Sequence, residues 1–152
     1  MKDHFRAFSA VFPIILKRTD GKMYILLHKR ANTGYMDGKW DTAGSGHVDK
    51  CETATHALAR ECFEELGITV DPQKLRFAHL SHNVEDNGDE TYYNVYFFVD
   101  EFEGIPQIKE PNKCDGLEWF DVTSLPENMI EKRKNDVLQG LQSIYYSELI
   151  EE

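Results

Sequence analysis

Gly46-His47-Val48-Asp49-Lys50-Cys51-Glu52-Thr53-Ala54-Thr55-His56-Ala57-Leu58-Ala59-Arg60-Glu61-Cys62-Phe63-Glu64-Glu65-Leu66-Gly67-Ile68 is the stretch on which the reading of this chain turns. Thr53 to Leu66 reads as a helix, with Gly67 placed to be its C-terminal cap. On that helix Glu61, Glu64 and Glu65 stand at i, i+3 and i+4, so three carboxylates share one face. Leu58, Ala59, Cys62 and Leu66 lie on the adjacent face, which should pack on a sheet. Ala54 and Ala57 are expected to continue the acidic stripe toward the helix start, their short side chains leaving room for a ligand. Carboxylates this close repel one another, which raises their proton affinity and costs stability. A hard divalent cation relieves that repulsion, and Mg²⁺ in particular is usually held by a few carboxylates together with substrate phosphates. A solvated acidic helix face would explain Glu64 and Glu65 alone. It would not explain Gly46, Glu52 and Arg60 at their offsets from them.

Outward from this stretch, Phe5 to Lys17 reads as a buried strand rich in Val, Ile and Phe, followed by the turn Thr19-Asp20-Gly21-Lys22 and a second strand, Met23 to Lys29. Ala31 to Asp49 is a long loop punctuated by Gly34, Gly38, Gly44 and Gly46, with room for short strands; loops of that length in compact domains are usually functional. Leu75 to Val84 and Thr91 to Phe102 are strands flanking the turn Asp86 to Asp89, and Leu117 to Val122 is a short strand. A final helix is expected over Glu131 to Ile150, with Val137, Leu138, Leu141, Ile144, Tyr145 and Leu149 as its apolar stripe. Strands and helices without regular alternation imply an α/β fold, a mixed sheet covered by helices on both faces.

The 152 residues suggest a single domain over 1–152 that buries enough surface to fold without staples. Lys plus Arg is 17 and Asp plus Glu is 27, a net charge of −10, which disfavours a nucleic-acid polymer or an anionic membrane as partner. An anionic substrate would need a cation as mediator. Cys51, Cys62 and Cys114 form no CxxC pair and leave one unpaired in any disulfide scheme, against a secreted disulfide scaffold and a zinc knuckle. The apolar run Ala7 to Leu16 is too short to span a bilayer. A soluble, cytoplasmic protein is expected.

The spacing in the opening stretch is Gly46, five residues, Glu52, seven residues, Arg60-Glu61, then Glu64-Glu65, Gly67 and the apolar Ile68. It resembles the signature of the Nudix (MutT-like) hydrolases at every fixed position, with Cys62 standing as a small hydrophobe at an apolar one. At residue frequencies of roughly 6%, such a match arises by chance in well under about one chain per million. Leu26-Leu27-His28-Lys29-Arg30, Leu117-Glu118-Trp119-Phe120 and Leu125-Pro126 extend the resemblance. It implies an α/β/α sandwich, Mg²⁺ as cofactor with Mn²⁺ able to substitute, and hydrolysis of a nucleoside diphosphate linked to another group.

The resemblance also implies roles. Glu61 is the expected general base, with Glu64, Glu65 and Glu61 itself as metal ligands. The Glu52–Arg60 pair braces the loop and orients Glu61. The carbonyl of Ser45 is a further metal ligand, although Gly44-Ser45 replaces the proline-glycine pair of many relatives. Glu110 is an additional acidic ligand, in competition with Glu85, Asp86, Asp89 and Glu90. Arg30, Lys39 and Gly46 are expected at substrate phosphates. Asn128 is a candidate base reader, a turn cap being its blander role. Trp40 could border the pocket, whereas Trp119, the tyrosines and phenylalanines of 92–98 and the histidines read as structural. The compact length suits a (deoxy)nucleoside triphosphate pyrophosphohydrolase giving monophosphate and pyrophosphate, a small-molecule enzyme and possible homodimer. A nucleoside diphosphate sugar or a dinucleoside polyphosphate is the alternative substrate; the proline common in relatives acting on ADP-ribose is absent from Asn83 to Glu85. An isopentenyl-diphosphate isomerase-like enzyme is disfavoured because Thr42-Ala43-Gly44-Ser45 holds no cysteine, and a non-catalytic nucleotide sensor because the carboxylates are intact.

Overall fold

The computed structural model describes residues 3–85 and 90–151. The elements, in chain order, are β1 (Phe8–Thr19), β2 (Lys22–Arg30), β3 (Trp40–Thr42), β4 (Gly46–His47), α1 (Ala54–Leu66), a 3₁₀ turn (Pro72–Lys74), β5 (Arg76–Glu85), β6 (Thr91–Val99), β7 (Cys114–Asp121), α2 (Glu131–Leu141) and β8 (Tyr146–Glu151). The expected turn over Asp86 to Asp89 lies outside the described residues.

The strands form one mixed sheet in the order β3-β2-β1-β6-β5-β8, with β4 added to β1 and β7 to β2. β1 and β2 join through a two-residue turn in which Asp20 and Gly21 both take positive φ, 53° and 74°, so that Thr19 pairs with Lys22. That geometry matches the twist of the flanking strands and suits an Asp-Gly pair. β1 runs antiparallel to β2 and β4 but parallel to β6, and β5 runs parallel to β8.

Alternation along β1 splits its side chains between two cores. Val11 and Ile15 join Leu58, Cys62, Leu66 and Ile68 under α1. Ala10, Phe12, Ile14 and Leu16 join Tyr96, Phe98 and Val137 under α2. The helices therefore cover opposite faces of the sheet, as the pattern implied. Trp119 is half-buried against the α1 core, in keeping with its structural reading. No helix among the described residues is long and apolar enough to cross a membrane.

Two expectations need correction. The final helix ends at Leu141 rather than Ile150. Ser143 turns the chain with φ 61°, and Tyr146–Glu151 becomes an edge strand pairing with Leu80 to Glu85. Aromatic and β-branched residues at 144–146 favour a strand, and the free edge of β5 supplies the partner. Of the supposed apolar stripe, Val137 is buried and Leu138 and Leu141 half-buried, while Ile144, Tyr145 and Leu149 are exposed. Ala57, in turn, is fully buried in the α1 core with Leu58 and Cys62 rather than continuing the carboxylate stripe.

Candidate active site

α1 is anchored at both ends. The Thr53 hydroxyl accepts from the His56 amide at 3.4 Å, and Gly67, at φ 71°, donates its amide to the Phe63 carbonyl at 3.0 Å. Burying Leu58, Cys62 and Leu66 fixes the rotation of the helix and turns Glu61 and Glu65 toward the loop that carries Gly44 to His47. The loop is pressed onto the helix: a Cβ at Gly44 would approach Cys62 Sγ, Leu66 and Pro13 within 3.1–3.3 Å, and one at Gly46 would overlap the Glu61 carboxyl group. Gly46 is thus required by close approach, and Gly44 by its φ of 84° within a tight site.

Arg60 organises the acidic residues. Its Nε and Nη2 donate to the two Glu52 oxygens at 2.8 and 2.9 Å in a bidentate pair. Its Nη1 donates to Glu61 Oε1 at 2.8 Å and Glu64 Oε2 at 3.3 Å, and Nη2 also reaches the His47 carbonyl at 3.1 Å. One guanidinium therefore ties the loop before α1 to two carboxylates on it. The Arg60 hydrogen bonds hold the Glu52 carboxyl down to about 2. Burial raises the proton affinity of Glu61, opposed by Arg60. Glu65, deeper still and facing Glu61 and Glu110, is pushed up to about 8.

A cavity of about 800 Å³ opens beside this cluster, within the size range of small-molecule sites. Glu61, Glu65, Arg60, Ser45 and Gly46 line it, as does Arg30. Arg30 is held by hydrogen bonds to the Tyr35 carbonyl at 2.8 Å and to Thr33 Oγ1 at 3.1 Å, in a loop that Asp37 in turn ties down through the amides of Thr33 and Gly34. Ser45, Glu65 and Arg30 also border a smaller cavity of about 140 Å³, together with Glu110 and Cys114. Glu64 is exposed beside the cluster.

The other expected residues sit apart. Lys39 is exposed and lines neither cavity. Asn128 likewise lines neither; its side-chain amide donates to the Gly38 carbonyl at 3.2 Å and its own carbonyl accepts from Trp40, a turn-bracing position. Trp40 packs edge-on against Phe120, away from both cavities. Glu85 and Glu90 line the large cavity at its β5–β6 side, and Asp86 and Asp89 lie outside the described residues.

Residues not singled out in the sequence form the cavity floor. Asn83 and Asn94 are 6% and 4% exposed and line it from neighbouring strands. Beside them is a buried polar chain: Arg133 Nε donates to Asp41 Oδ1 at 2.8 Å, Arg133 Nη1 to Tyr96 Oη at 2.6 Å, and Tyr96 Oη to Asp136 at 2.7 Å. Asn94, a lone amide inside the aromatic run Tyr92 to Phe98 of β6, was the available signal.

The donor set suits a hard divalent cation. Glu65 Oε2 is buried without any hydrogen-bond partner among the described residues, an arrangement that an oxygen-seeking cation would satisfy. Among the described residues no three His, Cys, Asp or Glu side chains already converge as a cage. Arg60 occupies the Glu61 and Glu64 oxygens that face it.

A model of the NUDIX domain matches residues 7–141. An oxidized purine nucleoside triphosphate hydrolase of Danio rerio is 32% identical over 123 residues, covering 78% of this chain and 70% of that protein. The NAD-capped RNA hydrolase NudC of Vibrio atlanticus is 27% identical over 79% of this chain, which spans only 41% of it. Among solved structures, a MutT NUDIX hydrolase of Burkholderia pseudomallei superposes with a TM-score of 0.75 at 25% identity, over 89% of this chain and 98% of that one.

Proposed function

The chain belongs to the NUDIX family of hydrolases, and from that premise we propose that it is a divalent-metal-dependent nucleoside triphosphate pyrophosphohydrolase. The observation that carries this reading is the Glu61 carboxyl group, packed on Gly46, steadied by Arg60 and opening onto a nucleotide-sized cavity that also presents Arg30. The name of the Danio rerio relative, a nucleoside triphosphate hydrolase, supports the substrate class.

Glu65, Glu64 and Glu61 would hold Mg²⁺, with the Ser45 carbonyl and Glu110 as further oxygen donors at the border of the two cavities. When bound, the cation supplies charge neutralisation for the phosphate oxygens and acidifies water. Glu61 is suited to take a proton from that water: its burial raises its basicity, and the Arg60 hydrogen bond fixes its orientation. Glu52 keeps Arg60 in place and takes no proton at neutral pH. Arg30, held by Thr33 and Tyr35, offers its charge to the outer phosphates, and Gly46 lets substrate and Glu61 approach the same backbone. Lys39 and Asn128, which line neither cavity, take no part in this reading.

The test is a panel of nucleoside triphosphates, a nucleoside diphosphate sugar and a dinucleoside polyphosphate, each with Mg²⁺ and with chelator. Products are separated by chromatography after reaction in ¹⁸O-water. Monophosphate plus pyrophosphate, lost in chelator, is the expected result. Diphosphate plus orthophosphate, or turnover of the sugar conjugate alone, would overturn the assignment.

A further inference from the structure

Arg133 enters the cavity from α2, on the side of β1 opposite the carboxylate helix. It is 5% exposed, its guanidinium carbon lying 3.6 Å from the centroid of the Phe12 ring. Nε and Nη1 are spent on Asp41 and Tyr96. Nη2 donates to nothing among the described residues and is not sealed from the cavity. A guanidinium built so deep into the wall, with a spare donor edge facing the void, is a reader of an acceptor atom.

The acceptor is a neutral one. Asp41 lies 2.8 Å from Arg133 and is shared with Arg30 at 3.7 Å, and Asp136 stands behind Tyr96, so two buried carboxylates already face this guanidinium. At this end of the cavity, away from the phosphate-facing Arg30, Glu85 and Glu90 would repel an anion, while Glu151 is paired with Lys132 at 3.0 Å. A carbonyl oxygen accepts from Nη2 without adding charge, whereas a protonated amino group there would meet donor against donor. The buried amides of Asn83 and Asn94, which line the same floor, each offer both an acceptor and a donor, so they can take a neighbouring N–H and leave the discrimination to Arg133, which can only donate. The floor is therefore complementary to a carbonyl flanked by an N–H.

We propose that Arg133 is a specificity-determining residue that selects nucleobases presenting such an oxo–imino edge over bases presenting an amino group beside a ring acceptor. The proposal rests on the nucleotide reading above but is decided by binding, not by turnover. Inosine and adenosine monophosphates isolate the edge, because they differ only in having C6=O and N1–H in one and C6–NH₂ and a bare N1 in the other.

Calorimetric titration of the wild-type protein with each is the first arm, and tighter binding of the inosine nucleotide by ~10-fold or more is expected, since a donor left facing a donor loses a buried hydrogen bond. The second arm is Arg133→Lys, checked for folding by its melting curve. Lysine keeps the charge opposite Asp41 but has no fork to serve both Tyr96 and a ligand. The preference should shrink to within ~3-fold. Equal or tighter binding of the adenosine nucleotide, no binding of either, or a folded Arg133→Lys protein with its preference intact would each overturn the proposal. If Arg133→Lys does not fold, the wild-type ratio alone decides. Turnover of the corresponding triphosphates is scored separately: failure to hydrolyse either counts against the pyrophosphohydrolase reading and leaves the binding ratio to stand by itself.

Discussion

The carboxyl group of Glu61 fills the space that any side chain at Gly46 would require. The conflict would be with a charged group that is half-buried and already bonded to Arg60, so it cannot swing freely aside. Gly46→Ala should therefore displace Glu61 and lower kcat by ~10²-fold or more, the usual consequence of misplacing a catalytic group by about 1 Å. Overpacking of this kind should also lower stability by about 1–3 kcal/mol. The pair is coupled, so adding Glu61→Ala to Gly46→Ala should restore the melting temperature to that of Glu61→Ala alone. Additive losses in the double variant would show that Gly46 matters for another reason.

Glu61→Gln tests the chemical role separately from the space. Glutamine has nearly the same shape and can accept a hydrogen bond from Arg60 through its carbonyl oxygen, but it cannot take up a proton. Nucleotide binding and fold should persist while kcat falls by ~10²–10⁴-fold. A variant within ~3-fold of wild type would remove Glu61 from proton transfer.

How much of this was visible beforehand depended on whether the residues are local. Gly46, Glu52, Arg60, Glu61 and Glu65 lie within one loop and one helix, so helical spacing alone places the acids on one face. That Gly46 carries no side chain because Glu61 lies on it could be seen only in three dimensions. The cavity floor was not legible at all. Asn83, Asn94, Asp41 and Arg133 come from four separate elements, and only the parallel pairing of β1 with β6 and the seating of α2 bring them together. The misread end of α2 has a similar origin. Residues 144–149 continue the helical periodicity of apolar positions, but the open edge of β5 captures the chain from Tyr146 onward as β8. A long-range partner overrode the local pattern.

Glu65 pits stability against function. Its Oε2 is buried without a partner, and burial together with Glu61 and Glu110 opposes its ionisation. Above its ordinary value of 4.5 Glu65 is ionised in the unfolded chain, whereas the metal-free fold holds it largely protonated up to about 8. Glu65→Gln keeps the volume and needs no proton on folding, so the metal-free variant should melt above metal-free wild type at neutral pH. The same variant should need more Mg²⁺ for half-maximal rate. Added Mg²⁺ should raise the melting temperature of wild type more than that of the variant. A lower melting temperature for the metal-free variant would mean that Glu65 is satisfied in a way the structure does not show.

Glu52 and Arg60 set the response to acid. Bonded at 2.8 and 2.9 Å by Arg60, the Glu52 carboxyl is held down to about 2, whereas in the unfolded chain it titrates near 4.5. Between those values the unfolded state binds the proton that the folded state refuses. The pair's contribution is therefore fully present above pH ~5 and is lost as pH falls from there toward 2. Glu52→Gln cannot titrate at this position, so its melting temperature should fall less steeply than that of wild type over this window. The gap between the two proteins should be widest near neutral pH and should narrow with acidification. At neutral pH the variant should also lose turnover, because Arg60 loses its bidentate anchor and is held only by its bonds to Glu61, Glu64 and the His47 carbonyl and by the exposed Asp49. The check is a series of melting curves from pH 2.5 to 7 on both proteins in metal-free buffer. Parallel curves across that range would show that the Glu52–Arg60 pair contributes nothing to stability that depends on the charge of Glu52.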